Sequence, residues 1–233
     1  MLPYLPPGTR ALLIATGAVF FLQMLFGPGS PWLGGPLFYP FMLWPLGSIS
    51  GIGPDGALHT LGFLPWQLLT YGFLHGGFVH LLFNMLALYM FGAQLEYVWG
   101  QRRLLLFYFT CIVGAGLVQV LVVSFLMGPS AFYPTVGASG GVYGLLLGFA
   151  MLFPDRRVML LIPPIPIRAR TLAIVFGALS LFMGVTGTFG GIAHFAHLGG
   201  MLFGFGLIQY WRGRWPFRRG AGRGGRDGPW RPR

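Results

Sequence analysis

The side chains in this sequence that could carry out chemistry begin with a serine among glycines, in the segment Gly137-Ala138-Ser139-Gly140-Gly141. A serine hydroxyl becomes an effective nucleophile only when a nearby base removes its proton. The sequence offers five histidines as candidate bases: His59, His75, His80, His194 and His197. The fold must therefore bring at least one of these histidines to Ser139.

The composition indicates that these elements lie in a membrane. Hydrophobic residues make up 55% of the 233 positions and charged residues only 8%, whereas soluble domains carry about 25% charged residues. The mean hydropathy is +0.71. A single cysteine, Cys111, excludes an internal disulfide. We therefore expect an all-α membrane protein in which polar side chains at membrane depth are functional.

Six apolar runs have about the length of a spanning helix, which needs roughly 17–25 residues. The predicted spans are residues 11–27, 78–96, 104–127, 139–153, 171–189 and 192–211. Only Arg10 precedes the first run and no A-x-A cleavage site follows it, so we interpret it as a retained helix and not as a signal peptide. The segment Gln101-Arg102-Arg103 is expected to form a charged turn between the second and third spans.

A long connection, residues 28–77, separates the first two predicted spans. Proline, glycine and tryptophan recur in it, and it contains no basic residue other than histidine. A connection of about 50 residues is unusually long for an idle loop. We therefore expect it to fold on itself at the outer interface and to enter the lipid in part.

The charged residues separate by side of the membrane. All fifteen basic residues are arginines, and six spans place each of them on the same side as both termini. The positive-inside rule then predicts cytoplasmic termini in the plasma or inner membrane. We expect residues 1–211 to form the membrane domain and residues 212–233 to be a disordered tail rich in arginine and glycine. We interpret this tail as an anchor for anionic lipid headgroups, and expect no nucleic acid partner.

Three predicted spans bring polar side chains to one depth near the outer surface. Ser139 opens the fourth span, and His197 lies about five residues into the sixth, roughly 8 Å along the helix. His80 and Asn84 are four residues apart, on one face of the second span. We expect Ser139 to be a nucleophile and a histidine of the sixth span, His194 or His197, to be its general base. His80, Asn84 and the backbone N–H of Ser139 are candidate donors to an oxyanion.

Two further features of these spans support the same site. Tyr143 lies four residues after Ser139 on the same helix face, so its ring could pack against the base and orient it. Small residues such as Gly137, Gly200 and Gly204 allow membrane helices to approach closely. Such an approach would bring a serine within hydrogen-bond reach of a histidine.

A third, carboxylate member of the site is not expected. Glu96, Asp155 and Asp227 fall on the predicted cytoplasmic side, and Asp55 lies in the first long connection. The residues therefore predict a Ser–His dyad and not a triad. We expect neither a metal nor another cofactor.

In these motifs the sequence resembles the rhomboid family of intramembrane serine proteases, over about residues 60–211. The segments that carry the resemblance are Gly137-Ala138-Ser139-Gly140 with Tyr143, residues 75–84 (HGGFVHLLFN), and residues 196–200 (AHLGG) with Gly204. Trp66-Gln67 before Thr70-Tyr71 is similar to the family's outer loop, although some members have arginine where this chain has Gln67.

The resemblance implies a fold and a set of site residues. The fold is the six-helix rhomboid bundle of the bacterial or archaeal type, with a long extracytoplasmic loop between helices 1 and 2. The family pattern His-x-x-Gly-x-x-x-Gly implies that His197 is the base and that His194 is not. It also implies that Ser139 is the nucleophile and that His80 and Asn84 belong to the oxyanion site.

The function implied by the resemblance is endopeptidase cleavage of transmembrane segments in other membrane proteins, at a site open to the extracytoplasmic side. Two alternatives can be weighed on the residues. A proton-relaying channel or transporter would predict acidic residues at mid-membrane and internal repeats, and the sequence has neither. A scaffold that only binds transmembrane clients would keep its function without Ser139 or His197. The bulky apolar span 171–189, flanked by Gly190-Gly191, is expected to border the path by which substrate enters.

Overall fold

The computed structural model describes residues 5–27, 35–52, 58–127, 134–160, 163–187 and 193–213, and these are mostly helical. The helices are α1 (Pro7–Phe26), α2 (Gly35–Phe38), α3 (Gln67–Thr70), α4 (Phe78–Ala87), α5 (Ala93–Trp99), α6 (Gln101–Val122), α7 (Ser139–Leu152), α8 (Ala169–Thr186) and α9 (His194–Trp211). The π-helical turn Leu88–Gly92 joins α4 to α5, and a second one, Val123–Met127, extends α6.

Two short antiparallel strand pairs, which the sequence did not predict, lie in the connections. Strand β1 (Ser48–Ile52) pairs with β2 (Leu58–Gly62) within the long first connection. Strand β3 (Arg157–Met159) pairs with β4 (Pro166–Arg168) between α7 and α8. Asp55, Gly190-Gly191 and the tail from residue 214 lie outside the described residues.

Four helical stretches are long and apolar enough to cross a membrane, judged by length and composition. They are Pro7–Phe26, Phe78–Trp99, Gln101–Leu126 and Ala169–Thr186. The predicted fourth and sixth spans, α7 and α9, do not meet this measure. Helix α7 has only 14 residues, and α9 carries two histidines and Gln209 among its 18. Most of α7 is buried by neighbouring helices, so its surroundings are mainly protein.

The predicted charged turn at Gln101-Arg102-Arg103 is wrong, because these residues form the first turn of α6. The break between α5 and α6 is at Gly100, whose φ of 76° lies in the left-handed region that favours glycine. Arg102 and Arg103 remain exposed at the start of α6. A single glycine, Gly100, therefore makes the break between the two helices, and not a three-residue turn.

Helix α7 packs against α6, α8 and α9, and glycines lie at its contacts with α6 and α9. A Cβ atom added at Gly200 of α9 would collide with the backbone carbonyl of Gly140 on α7. On the α6 side, Gly140 faces Ala115, and Gly144 faces Cys111. Small residues at these crossings let the backbones approach closely, as is typical of membrane helices. The contact between Gly140 and Gly200 joins the two helices that begin with Ser139 and His194.

The buried carboxylate of Glu96 on α5 holds the start of α1. It accepts hydrogen bonds from the backbone N–H groups of Gly8 and Thr9, both at 2.7 Å, and from the Thr9 hydroxyl at 2.8 Å. The first N–H groups of a helix have no partner within the helix, and the helix dipole favours a negative charge there. Glu96 is 4% exposed, and these three donors compensate its burial.

We predict that Gly200→Ala destabilises the protein by about 1–3 kcal/mol, because the obstructing atom is backbone and cannot rotate away. Thermal unfolding in detergent measures the effect. The matched control is Gly17→Ala in α1, where an added Cβ meets no atom within 4 Å. Equal stability of the two variants would contradict the close approach of α7 and α9.

We predict that Glu96→Gln lowers the free energy of unfolding by about 2–3 kcal/mol, because one carboxylate oxygen becomes an NH₂ group that faces N–H donors. Thr9→Val removes only the hydroxyl bond and should cost about 1 kcal/mol. The two variants are compared by unfolding in the same detergent. A smaller loss for Glu96→Gln than for Thr9→Val would refute the assigned role of this carboxylate.

Candidate active site

Ser139 is the first residue of α7 and lies at the N-terminal end of that helix. The helical hydrogen bonds of α7 begin with the N–H of Val142, which donates to the carbonyl of Ala138. The N–H groups of Ser139 and Gly140 therefore have no partner within the helix. These N–H groups, at the positive end of the helix dipole, suit the stabilisation of a negative charge next to the Ser139 hydroxyl.

His197 lies in the first turn of α9, and its ring meets Ser139. The Nε2 atom of His197 is 2.8 Å from Oγ of Ser139, which is a short hydrogen-bond distance. Ser139 is half-buried, and His197 is 8% exposed. When Nε2 is unprotonated, the serine hydroxyl donates to it, which is the arrangement that activates a serine nucleophile.

Tyr143 fixes the plane of the His197 ring. The two rings are stacked, with centroids 4.1 Å apart and planes only 8° from parallel. The hydroxyl of Tyr143 is hydrogen-bonded to Ser180 on α8. Ser180 is buried, with 2% of its surface exposed. Helices α7, α8 and α9 thus meet around one imidazole. This stacking is the geometry that the spacing of Ser139 and Tyr143 suggested.

His80 on α4 approaches the site from the other side of Gly137. A Cβ atom added at Gly137 would lie 2.7 Å from Cε1 of His80 and 3.8 Å from Oγ of Ser139. Gly137 has a φ of 128°, which favours glycine, so a larger residue would be both strained and obstructed. The His80 ring and the Ser139 hydroxyl therefore flank one glycine.

Asn84 is buried one turn further along α4. Its amide Nδ2 donates to the backbone carbonyl of His80 at 2.9 Å. An amide group has two N–H donors, so one remains beyond this bond. Asn84 thus lies on the helix face of His80, and this hydrogen bond is made to its own helix.

The two remaining described histidine rings lie beside the site. His75 is buried, and its backbone N–H donates to Oε1 of Gln23 at 3.0 Å. Its ring centroid is 5.0 Å from that of His80. Burial, with a smaller contribution from His80, lowers the pKa of His75 to about 4, so it is neutral near pH 7. His194 meets His197 edge-to-face at 6.1 Å.

Neither of the two carboxylates in the described ranges is available to His197. Glu96 is bound to the start of α1, and Asp155 pairs with Arg168 and Arg170 at 3.6 and 3.1 Å. Within the same ranges, Nδ1 of His197 has no hydrogen-bond partner. They also hold no group of three or more His, Cys, Asp or Glu side chains that could bind a metal.

Tyr71 is a positioning residue to which the sequence motifs assign no role. Its carbonyl accepts the N–H of Gly137 at 2.9 Å, and its hydroxyl donates to the carbonyl of Ile112 on α6 at 2.7 Å. Burial raises the pKa of the Tyr71 hydroxyl, which keeps it protonated as a donor. Tyr71 thereby ties the segment before Ser139 to the wall of the bundle.

Gln67 organises the connection in front of the site. Its Oε1 accepts the N–H groups of Trp44 and Leu64, both at 3.2 Å. Its Nε2 donates to the carbonyls of Pro40 and Gly62, at 3.3 and 3.2 Å. A neutral amide satisfies two acceptors and two donors here, whereas an arginine has no acceptor. These four hydrogen bonds suit a glutamine at this position and not an arginine.

Comparison with known proteins identifies the domain that contains this site. The Rhomboid domain family matches residues 63–213. The chain is 34% identical over 147 residues to RHOMBOID-like protein 4 of Arabidopsis thaliana, covering 60% of this chain and 32% of that protein. It is 33% identical over 141 residues to Rhomboid protease GluP of Bacillus subtilis, covering 60% and 25%. It is 32% identical over 142 residues to Rhomboid protein 1, mitochondrial, of Saccharomyces cerevisiae, covering 59% and 39%.

These matches span only about a quarter to two fifths of the length of the relatives. The match to the Rhomboid domain family, residues 63–213, includes Tyr143 and the two helices that carry Ser139 and His197.

We predict that Tyr143→Phe retains most of the reactivity of Ser139, because the stacked ring remains and only the hydrogen bond to Ser180 is lost. Tyr143→Ala removes the stacking and should lower that reactivity at least about tenfold, since an orientation error of this kind is costly. The rate of Ser139 labelling by a fluorophosphonate measures both. Equal rates for the two variants would show that stacking does not orient His197.

Proposed function

The chain belongs to the rhomboid family, and we propose that it is an intramembrane serine endopeptidase whose catalytic dyad is Ser139 and His197. The observation that carries this proposal is the 2.8 Å separation of Ser139 Oγ and His197 Nε2. Its location adds support, because the pair joins two tightly packed helices of an apolar chain. The substrates we propose are transmembrane segments of other membrane proteins.

In the first half of the reaction, Ser139 Oγ attacks the carbonyl carbon of the scissile peptide. His197 Nε2 takes the hydroxyl proton as the new C–O bond forms. The tetrahedral intermediate then collapses, and His197 returns the proton to the departing amine. The product is an ester between Ser139 and the N-terminal part of the substrate.

The second half hydrolyses that ester. His197 Nε2 takes a proton from water, whose oxygen attacks the ester carbonyl carbon. Collapse of the second intermediate releases a carboxylic acid, and His197 returns the proton to Ser139. Each intermediate carries a negative oxygen, and the proposed donors to it are His80, Asn84 and the Ser139 N–H. The proximity of His80 across Gly137 supports its inclusion.

The proposed topology has six membrane helices. They are the four long apolar stretches together with α7 and α9. The arginines support cytoplasmic termini in the plasma or inner membrane, and a site that opens to the extracytoplasmic side. Residues 1–211 would be the membrane domain and residues 212–233 a cytoplasmic tail. The long connection 28–77 would lie over the outer interface.

Substrate would reach the site beside α8. Only 22% of this helix is buried within the protein, the smallest share among the four long apolar stretches. It also contacts the site directly, through the bond between Ser180 and Tyr143. A helix with few protein contacts can move at lower cost than its neighbours. We therefore assign α8 to the side on which a transmembrane substrate approaches.

We predict that the protein in detergent reacts with a fluorescent fluorophosphonate, and that Ser139→Ala and His197→Ala each reduce the labelling rate roughly a thousandfold or more. Cleavage of a reconstituted transmembrane substrate should fall in parallel. In-gel fluorescence measures labelling, and mass spectrometry of the fragments measures cleavage.

Two matched variants control for loss of a serine or a histidine elsewhere. Ser50→Ala removes a serine of β1 whose hydroxyl is hydrogen-bonded to that of Thr60 in the adjacent strand, and this variant should label as the unaltered protein does. His194→Ala removes the other histidine of α9 and should keep most of the labelling. If His194→Ala abolished labelling as His197→Ala does, the assignment of the base would be lost. If Ser139→Ala left the function of the protein intact, the protease assignment would be lost, and a scaffold that only binds transmembrane clients would be the better proposal.

A further inference from the structure

A cavity lies at the end of the bundle opposite Ser139. It has a volume of about 270 Å³ and is bounded by α5, the π-helical turn before it, the end of α7, and β3. A water molecule occupies about 30 Å³ of liquid, so the cavity has room for a group the size of a phosphate. Phe149 of α7 lines it and lies ten residues after Ser139, roughly 15 Å along the helix. The cavity is therefore separate from the candidate active site.

Two arginines, Arg156 and Arg157, line this cavity. The guanidinium of Arg156 donates to Oε1 of Gln94 at 3.1 Å and lies 5.5 Å from the centre of the Phe153 ring. The backbone of Arg157 is fixed by strand pairing with Arg168. Neutral neighbours thus hold the Arg156 guanidinium at the cavity, and strand pairing fixes the backbone of Arg157 there.

The nearby carboxylates neutralise other groups. Asp155 pairs with Arg168 and Arg170, and Glu96 binds the start of α1. In the described part of the chain, no carboxylate forms a salt bridge with Arg156 or Arg157. The cavity therefore carries two positive charges that lack an anionic partner among these residues.

The remaining walls of the cavity suit an amphiphile better than a free ion. Tyr89 and Tyr97, which are 41% and 56% exposed, place aromatic rings with polar hydroxyls at the opening. Phe91, Val158 and Met159 supply an apolar surface next to the arginines. Tyrosines are typical of the membrane interface, and basic pockets between membrane helices bind anionic headgroups.

We propose that this cavity is a binding site for one anionic phospholipid, whose phosphate is held by Arg156 and Arg157 and whose glycerol and upper acyl chain lie against Phe91 and Met159. The lipid would join β3 to α5 and so brace the side of the bundle that carries the arginines. This site does not require Ser139, so it stands or falls separately from the proposed protease activity.

The test is titration of the full chain, in a nonionic detergent, with phosphatidylglycerol or with phosphatidylcholine of the same acyl chains, measured by native mass spectrometry. We expect one phosphatidylglycerol to bind in preference to phosphatidylcholine. R156Q/R157Q should weaken its binding about tenfold or more, because both phosphate contacts are lost. Met159→Glu, an exposed position, introduces a negative charge at the apolar wall and should weaken binding in a chain that keeps both arginines.

The matched control is R102Q/R103Q, which removes the same charge from exposed residues outside the cavity. It should change phosphatidylglycerol binding less than about twofold. An equal loss in both double variants would overturn the proposal in favour of general attraction to the arginine-bearing side. Displacement of the lipid by excess inorganic phosphate would overturn the proposal in favour of a site for free phosphate. Equal binding of phosphatidylcholine and phosphatidylglycerol would overturn it in favour of an unspecific lipid contact. Thermal unfolding shows whether each variant is folded. If R156Q/R157Q is not folded, the lipid binding of Met159→Glu tests whether the lipid lies in this cavity.

Discussion

The close approach of α7 and α9 at Gly140 and Gly200 is the constraint on which the rest of the structure depends. No side chain separates the two backbones at this crossing, so the first turns of both helices lie side by side. That proximity allows Ser139 and His197 to meet at 2.8 Å without long side chains. In an apolar solvent, packing of small residues supplies much of the attraction between helices, so the same contact both stabilises the bundle and assembles the polar pair.

Several polar groups of the loops and helix ends in this apolar chain are paired within the protein. Glu96 satisfies the first N–H groups of α1, Gln67 satisfies four backbone groups of the first connection, and Tyr71 joins that connection to α6. Unpaired polar groups are costly where water is absent. The hydrogen bonds that organise the first connection therefore also hold Tyr71, whose carbonyl accepts the N–H of Gly137 just before Ser139.

Much of the candidate site followed from sequence spacing, because a helix fixes which residues share a face. The pairs Ser139 and Tyr143, and His80 and Asn84, are each four residues apart and lie together in the structure. The bounds of the helices were less accurate: α6 begins at Gln101, and the reversal is made by Gly100 alone. The two strand pairs were missed because each strand has only three to five residues, too few for a period-two pattern to be distinguished from a loop.

The sequence by itself determined the class of the protein and its family, since an apolar composition and a set of spaced glycine, serine and histidine motifs require no knowledge of contacts. It left His194 and His197 as equal candidates on residue spacing alone, because both lie in the first turn of one helix. Only the tertiary structure brings His197 to Ser139 and leaves His194 edge-on behind it, since the rotation of α9 about its axis is fixed by the contact between Gly200 and Gly140. Tertiary packing alone likewise gathers Arg156, Arg157 and two tyrosines around one cavity, because these residues come from elements distant in the chain.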